Sequence, residues 1–453
     1  MNWKTTSLTT LMLVALNVSA ADDAQIKRGQ YLSTAGDCVA CHSLPGGKPF
    51  AGGLELPTPI GDIIATNITP SKTAGIGNYT LEQFSDALRK GIRADGKHLY
   101  PAMPYTAYAK VSDQDIKDMY AYFMNAVEPV DTPTKATDLP FPFNIRFSMA
   151  AWNLLFLDDK VFVPNESQDT EWNRGAYLVQ GLTHCGTCHT PRNLLMAEES
   201  SKELAGGDVG TWHAPNITSD LNSGIGGWDS SELVAYLKTG ETLGKAQAAG
   251  PMAEAVDHSL QYLEEGDLKA IAAYLKAVPA RHNPADSKPV YALGQPYDDL
   301  ASIRGVSLPA DGDKMTGAQL YEAYCGTCHQ DRGQGSFEGG LPSLFHNTAV
   351  GRSNPDNLLM VILEGVKRGA DGQDIRMEGF AHTLSDQQVA TLTNYLTTHF
   401  GNPDVSVSAA KVKEVRAGGP TSHLAALAQG AIAVGVIVVF LLLIWWARRR
   451  RQS

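Results

Sequence analysis

The sequence predicts an all-α fold, with three small helical domains in tandem followed by one transmembrane helix. Three observations lead there. The pentapeptide Cys-x-x-Cys-His occurs at residues 38–42, 185–189 and 325–329, at intervals of domain length. Each occurrence is followed downstream by an amphipathic helical pattern that closes its unit. A run without charge, Leu424 to Ala447, then stands just before four arginines, Arg448 to Arg451.

Both ends carry membrane signals. Lys4 precedes an apolar stretch, Leu8 to Val18, and Val18-Ser19-Ala20 places small residues at a cleavage site before Ala21. That stretch is too short to span a bilayer, so residues 1–20 read as a signal peptide. At the far end, residues 424–447 are long enough to cross roughly 30 Å of hydrocarbon. Trp445 and Trp446 sit where an interfacial aromatic belt belongs, and the arginines place the tail 448–453 in the cytoplasm. The soluble part therefore lies outside, in the periplasm of a bacterial inner membrane. A net charge of -11 argues against nucleic acid as a partner.

The repeat units have internal landmarks. Arg28-Gly29-Gln30-Tyr31, Arg174-Gly175-Ala176-Tyr177 and Gly317-Ala318-Gln319-Leu320-Tyr321 precede the three pentapeptides. The closing helices read Ser112 to Phe123, Glu265 to Leu275 and Ser385 to Leu396. Ser112 with Asp115 and Ser385 with Gln388 are predicted capping boxes. The first two units share Asn67-Ile68-Thr69 and Asn216-Ile217-Thr218, then Gly75-Ile76-Gly77 and Gly224-Ile225-Gly226, then Tyr79 or Trp228. The Asn-x-Thr triplets match glycosylation sequons, but a turn is the reading preferred here. Domains of 21–127, 169–280 and 309–402 follow, with a Pro- and aromatic-rich linker at 128–168, a second linker at 281–308 and a tether at 403–423. Within the first linker, Phe141 to Leu157 is an aromatic patch, with Trp152 and Phe156. It suits either docking of a partner or packing against the domains.

All six cysteines belong to the pentapeptides. Cys-x-x-Cys-His is the attachment unit of haem c. Two thiols one helical turn apart reach the two vinyl groups of one porphyrin edge, and the adjacent imidazole ligates the iron. A disulfide-exchange motif has no need of the histidine, and a zinc site needs paired Cys-x-x-Cys units in one small domain. Thus Cys38, Cys41, Cys185, Cys188, Cys325 and Cys328 are assigned to three covalent haems c, with His42, His189 and His329 as axial ligands. The fold class is accordingly three cytochrome c-type domains and one transmembrane helix.

Electron-transfer haems usually have both axial positions filled. Met103 lies 61 residues after His42, Met252 lies 63 after His189, and Met377 lies 48 after His329. Each precedes a closing helix, which singles them out from Met119, Met124 and Met360 in helical patterns and from Met196, which is too near its pentapeptide. His98, His213, His258 and His382 are less regular rivals. No dinucleotide fingerprint or second cofactor motif is present, so electron transfer, with no catalytic residues of the chain's own, is the predicted work.

With these residues in view, the chain resembles the triple-haem cytochrome c subunit of membrane-bound bacterial dehydrogenases, such as those acting on gluconate, alcohols, aldehydes and sorbitol. The likeness covers Ala21 to Gly401. It rests on the pentapeptides, the Asn-Ile-Thr and Gly-Ile-Gly elements, Tyr100-Pro101-Ala102-Met103-Pro104 and Asn144-Ile145-Arg146 with Trp152-Asn153-Leu154-Leu155-Phe156. Met377-Glu378-Gly379-Phe380 departs from the commoner Met-Pro-Ala-Phe. The resemblance implies a periplasmic dehydrogenase subunit carrying flavin, pyrroloquinoline quinone or molybdopterin as electron donor, and ubiquinone or a terminal oxidase as acceptor. Two alternatives stand beside it: a peroxidase-type haem enzyme with one open-coordinate iron, and a cytochrome subunit of a haem-copper oxidase, although those are anchored at the N-terminus.

Overall fold

The computed structural model describes residues 22–451 apart from 338, 339, 371 and 421, and the expected signal peptide at 1–20 lies outside the described residues. The first unit comprises α1 (Asp23–Ala35), α2 (Leu81–Lys90) and α3 (Asp113–Asn125). After it comes α4 (Ser148–Phe156) in the first linker. The second unit holds α5 (Thr170–Tyr177), α6 (Ser230–Thr239), α7 (Gly250–His258) and α8 (Glu265–Ala277). The third has α9 (Gly317–Tyr324), α10 (Asp356–Glu364) and α11 (Asp386–Phe400), followed by α12 (Ala409–Arg416) and α13 (Leu424–Arg450). Small antiparallel ribbons qualify the all-α expectation: β1 (Glu55–Leu56) with β2 (Ile63–Ile64), β3 (Gly207–Val209) with β4 (Trp212–Ala214), β5 (Glu241–Thr242) with β6 (Ala246–Gln247), and β7 (Val366–Arg368) with β8 (Ile375–Met377).

In every unit the opening helix crosses the closing one: α1 over α3, α5 over α8 and α9 over α11. The repeated glycine of the opening helix sits at this crossing. A Cβ on Gly29 would lie 1.9 Å from the Asp118 carbonyl oxygen, one on Gly175 would lie 1.9 Å from that of Ala270, and one on Gly317 would lie 2.4 Å from Tyr395 Cβ. Only glycine lets the helices approach this closely.

The capping pairs differ. Ser385 and Gln388 form the reciprocal box: Ser385 Oγ accepts from the Gln388 N–H at 3.1 Å, and Gln388 Oε1 accepts from the Ser385 N–H at 2.9 Å. Ser112 caps α3 in one direction only, accepting from the Asp115 N–H at 3.1 Å. The Asp115 carboxylate has other partners, Arg28 at 2.5 Å and the Tyr177 hydroxyl at 2.5 Å.

That last bond crosses between units and has a counterpart. Tyr31 of the first unit donates to Asp267 of the second at 2.6 Å, while Arg174 holds the same carboxylate with two bonds at 2.7 and 2.6 Å. Each unit's opening helix thus sends a tyrosine to the other's closing helix, and each receiving aspartate also pairs with an arginine of its own unit. The first two units share one continuous apolar core, running from Leu32 through Tyr177 to Val278. The third has a core of its own, including Leu320, Leu359 and Phe400.

The linkers are threaded into this assembly. Asn67 Nδ2 donates to the Val130 carbonyl at 2.7 Å, and the Tyr105 hydroxyl donates to Asn153 Oδ1 at 2.8 Å. In the aromatic patch, Trp152 packs edge-on against Tyr105 and donates to the Leu195 carbonyl at 2.8 Å. Phe147, Leu154 and Leu155 of the same stretch remain exposed. In the second linker Val290 is buried, and Tyr297 stacks on His399 with 3.8 Å between ring centroids.

The stretch 403–423 corrects the tether reading. Val405, Val407, Val412 and Val415 are buried against the third unit, and α12 is fixed there by Arg416, which pairs with Asp386 at 2.8 Å. Intervening small and polar residues hid this apolar set in the composition. The final helix is exposed along its length, and Gln429 near its start donates to the Phe141 carbonyl at 2.8 Å.

The Asp267 cluster should govern acid stability. Burial works to raise its carboxyl, but the bonds from Arg174 and Tyr31 and the Arg174 charge outweigh it and hold the group below the usual carboxylate range. A carboxyl depressed by folding contributes stability above its unfolded value of about 3.9 and loses it as pH falls through the folded value. Asp267→Asn should therefore cost about 1–3 kcal/mol at neutral pH, with the difference from wild type shrinking below about pH 4. Urea midpoints on both sides of that pH check this.

Candidate functional site

Each pentapeptide forms or contains a single helical turn: Cys38–Cys41, Gly186–His189 and Gly326–His329. The residue before the first cysteine is left-handed in two of them, Asp37 at φ 51° and His184 at φ 36°. All six thiols are unpaired. Burial pushes Cys38 and Cys325 up to about 12 and Cys188 to about 11. Such thiols are poor nucleophiles at neutral pH, which disfavours disulfide exchange. Among the described residues, no three His, Cys, Asp or Glu side chains come together as a metal cluster, so the pairs are not joined into a zinc site.

The three histidines share one hydrogen bond. His42 Nδ1 lies 2.6 Å from the Thr66 carbonyl oxygen, His189 Nδ1 lies 2.6 Å from that of Pro215, and His329 Nδ1 lies 2.9 Å from that of Pro342. A carbonyl only accepts, so Nδ1 carries the proton and Nε2 keeps its lone pair for a metal. Burial reinforces the neutral form: it lowers all three, His189 to about 4.

In the first two units the accepting carbonyl belongs to the residue just before the Asn-Ile-Thr turn. Asn67 Oδ1 accepts from the Thr69 N–H at 2.8 Å and hydroxyl at 2.7 Å, and Asn216 repeats both distances with Thr218. Both asparagines are buried, as befits a turn and not a glycosylation site. The Gly-Ile-Gly element packs on this turn. A Cβ on Gly75 would lie 2.1 Å from the Thr69 carbonyl oxygen, and one on Gly224 would lie 2.2 Å from that of Thr218.

A cavity of about 230 Å³ in the second unit, partly open to solvent, brings Cys185, Cys188, His189 and Met252 together. Met252 stands in the first turn of α7, not on a loop. His213 lines the same cavity. However, its Nε2 would be 3.3 Å from a Cβ on Gly206, whose N–H donates to the His189 carbonyl at 2.8 Å, so His213 belongs to the His189 side. Met103 lies in a loop and packs, partly buried, against the core shared by the first two units. Met377 ends β8 and is half-buried, outside the third unit's apolar cluster. His258 and His382 are exposed, while Met119 and Met360 are core.

Nothing in the sequence signals the cavity's neighbours. Ala35 and Asp37 of the first unit line it, as do Thr348, Ala349, Arg352, Asn357 and Val361 of the third. Burial, aided by Glu254, pushes Asp37 up to about 8. His184, half-buried, lies edge-on to Tyr108 of the first unit at 5.5 Å. A lone Asp or His before a cysteine is unremarkable in a sequence; only the apposition of two units gives it a setting.

The residues suit haem c: paired thiols, an imidazole with a fixed tautomer, a thioether lining the same cavity and apolar walls. Comparison with known proteins agrees. A family model described as Cytochrome c matches residues 26–126, and one described as Cytochrome C oxidase, cbb3-type, subunit III matches 312–396. The fructose dehydrogenase cytochrome subunit of Gluconobacter japonicus is 48% identical over 94% of this chain and 92% of its own. The gluconate 2-dehydrogenase cytochrome c subunit of Pantoea cypripedii is 41% identical over 90% and 93%. The cytochrome c subunit of the quinone alcohol dehydrogenase of Gluconobacter oxydans is 38% identical over 93% and 89%. The chain belongs to the family of dehydrogenase cytochrome c subunits. As a cytochrome c it binds haem c covalently and transfers electrons. Its C-terminal helix, Leu424–Arg450, is long and apolar enough to cross a membrane.

The buried turn carries a prediction. Asn216→Ala removes the acceptor for two bonds and a donor to the Arg281 carbonyl. It should cost about 2–4 kcal/mol by leaving buried groups unpaired, read as a lowered urea midpoint.

Proposed function

We propose that this cytochrome subunit carries three haems c, one in each of the domains 21–127, 169–280 and 309–402, and relays electrons from a periplasmic dehydrogenase subunit to ubiquinone or a terminal oxidase. The observation that carries it is the threefold recurrence of an imidazole held at Nδ1 by a backbone carbonyl beside two free thiols. Bound haem c supplies one-electron exchange. The chain anchors each haem through a cysteine pair, ligates it with His42 and Met103, His189 and Met252, or His329 and Met377, and excludes water with its core. The second unit's cavity borders both neighbours, which suits a relay passing through the middle unit.

The relatives' names supply the partner class: fructose, gluconate and alcohol dehydrogenases. The catalytic subunit would bring its own flavin, pyrroloquinoline quinone or molybdopterin. Cleavage of residues 1–20 and insertion of α13 would leave the haem domains in the periplasm and the four arginines in the cytoplasm. The oxidase-subunit alternative draws on the match of the third domain, but the whole-chain relatives favour the dehydrogenase complex.

One observation favours a second reading for the third haem. Met377 ends a half-buried strand between the exposed Arg376 and Glu378, a less enclosed setting than that of Met252. An open sixth position there would admit a small ligand.

Haem stoichiometry and carbon monoxide difference spectra test both. The purified chain should hold three haems, and Cys185→Ala with Cys188→Ala should leave two. Reduced wild type should show little carbon monoxide binding, while Met252→Leu should open one haem. A carbon monoxide shift on one haem of the unaltered chain would instead establish an open haem site. For the partner, Phe147, Leu154 and Leu155 form an outward apolar face of the kind that docks proteins. Leu154→Ser with Leu155→Ser should release a dehydrogenase subunit that co-purifies from native membranes; an undiminished complex places docking elsewhere.

A further inference from the structure

Two arginines of the third unit reach into the second. Arg368, on β7, is almost fully buried, and its position is accounted for: it donates to the Ala248 carbonyl at 3.0 Å and lies 3.6 Å from the Glu241 carboxylate. Arg352 is different. It lines the second unit's cavity along with His189, Trp212 and Tyr236. Its guanidinium makes no ion pair or side-chain hydrogen bond among the described residues. Burial pushes it down to about 10, with Asp286 attracting it only from beyond ion-pair distance. The side chain is half-buried with its guanidinium facing the cavity, and the planar fork of that group matches carboxylate geometry.

Its location is fixed from both sides. Asn357, just beyond it in the chain, donates to the His213 carbonyl at 2.8 Å and accepts from the His213 N–H at 2.8 Å, clamping α10 to β4. Within this clamp the cavity holds a cationic group from one unit, while the thiols and imidazole that would fix a haem come from another.

We propose that Arg352 of the third unit is the counter-charge for a carboxylate of the haem held by the second unit, so that this haem's site is completed across the domain boundary. The assignment rests on the reading that the second unit holds haem c, whose propionates are the carboxylates available to this cavity. A fixed positive charge there opposes the extra positive charge of the oxidised iron and raises the haem's potential. The third unit thereby sets the potential of its neighbour's haem.

Spectroelectrochemical titration of the full chain in detergent, with haem content measured in parallel, tests this. Arg352→Gln should lower one midpoint by about tenfold in its oxidation equilibrium, ~59 mV for one electron, and leave the others in place. Arg352→Lys should recover most of the loss. Unchanged midpoints in a fully haem-loaded Arg352→Gln chain overturn the proposal. If Arg352→Gln does not accumulate, recovery of the loaded chain with near-native midpoints by Arg352→Lys supports a charge requirement, whereas failure of both shows a packing role and overturns it. The underlying reading fails separately: Cys185→Ala with Cys188→Ala would then leave haem content unchanged.

Discussion

The structure depends above all on the hydrogen bond from each motif histidine to a backbone carbonyl. It fixes the tautomer, frees Nε2, and ties the cysteine turn to a second segment well downstream. In the first two units that segment is the buried Asn-Ile-Thr turn. Its asparagine satisfies the threonine within the turn and also donates to the following linker, Asn67 to Val130 and Asn216 to Arg281. One side chain therefore connects the orientation of the imidazole to the chain's exit from the domain. The third unit uses Pro342 instead, on a shorter excursion from its histidine, and lacks the turn.

The units are consequently unequal in their packing. The first two exchange tyrosine–aspartate bonds and share an apolar core, whereas the third keeps its own core and attaches by inserted arginines and the Asn357 clamp. Exchanged bonds between partly buried groups fix mutual orientation because each donor has one acceptor in reach. Orientation matters to a relay, since electrons pass between sites whose spacing the protein must hold constant. The middle unit is held on both sides, by shared core toward the first and by polar clamps toward the third.

Much of this was legible in the sequence, for local reasons. The pentapeptides, the apolar terminal run and the closing helices are short-range patterns, whereas the glycine before a tyrosine at each opening helix recurred in the sequence but took its role at the crossing only from the packing. The Ser385 box was readable because both partners lie on one turn; the Ser112 box was half right because Asp115 has an arginine and a distant tyrosine as stronger claimants. What escaped was everything requiring two units at once: Asp37, His184, Arg352 and Arg368 acquire partners or surroundings only through apposition. The valines of 403–423 escaped for a different reason. Four small apolar residues among serines, lysines and alanines lack the contrast that marks an amphipathic helix.

Those valines alter the mechanics of membrane attachment. A free tether of residues 403–423 would span roughly 70 Å when extended and would let the haem domains wander. With α12 packed on the third unit, only residues 417–423 remain between it and α13, a reach of roughly 25 Å. The Gln429 bond to Phe141 draws the start of α13 closer still, toward the linker that covers the first unit. On the proposal that α13 spans the bilayer, the cytochrome domains would be held near its surface. Short attachment and rigid unit contacts would serve the same end in the proposed relay, because electron transfer between a docked donor and a lipid-borne acceptor works only if neither separation is left to a flexible chain.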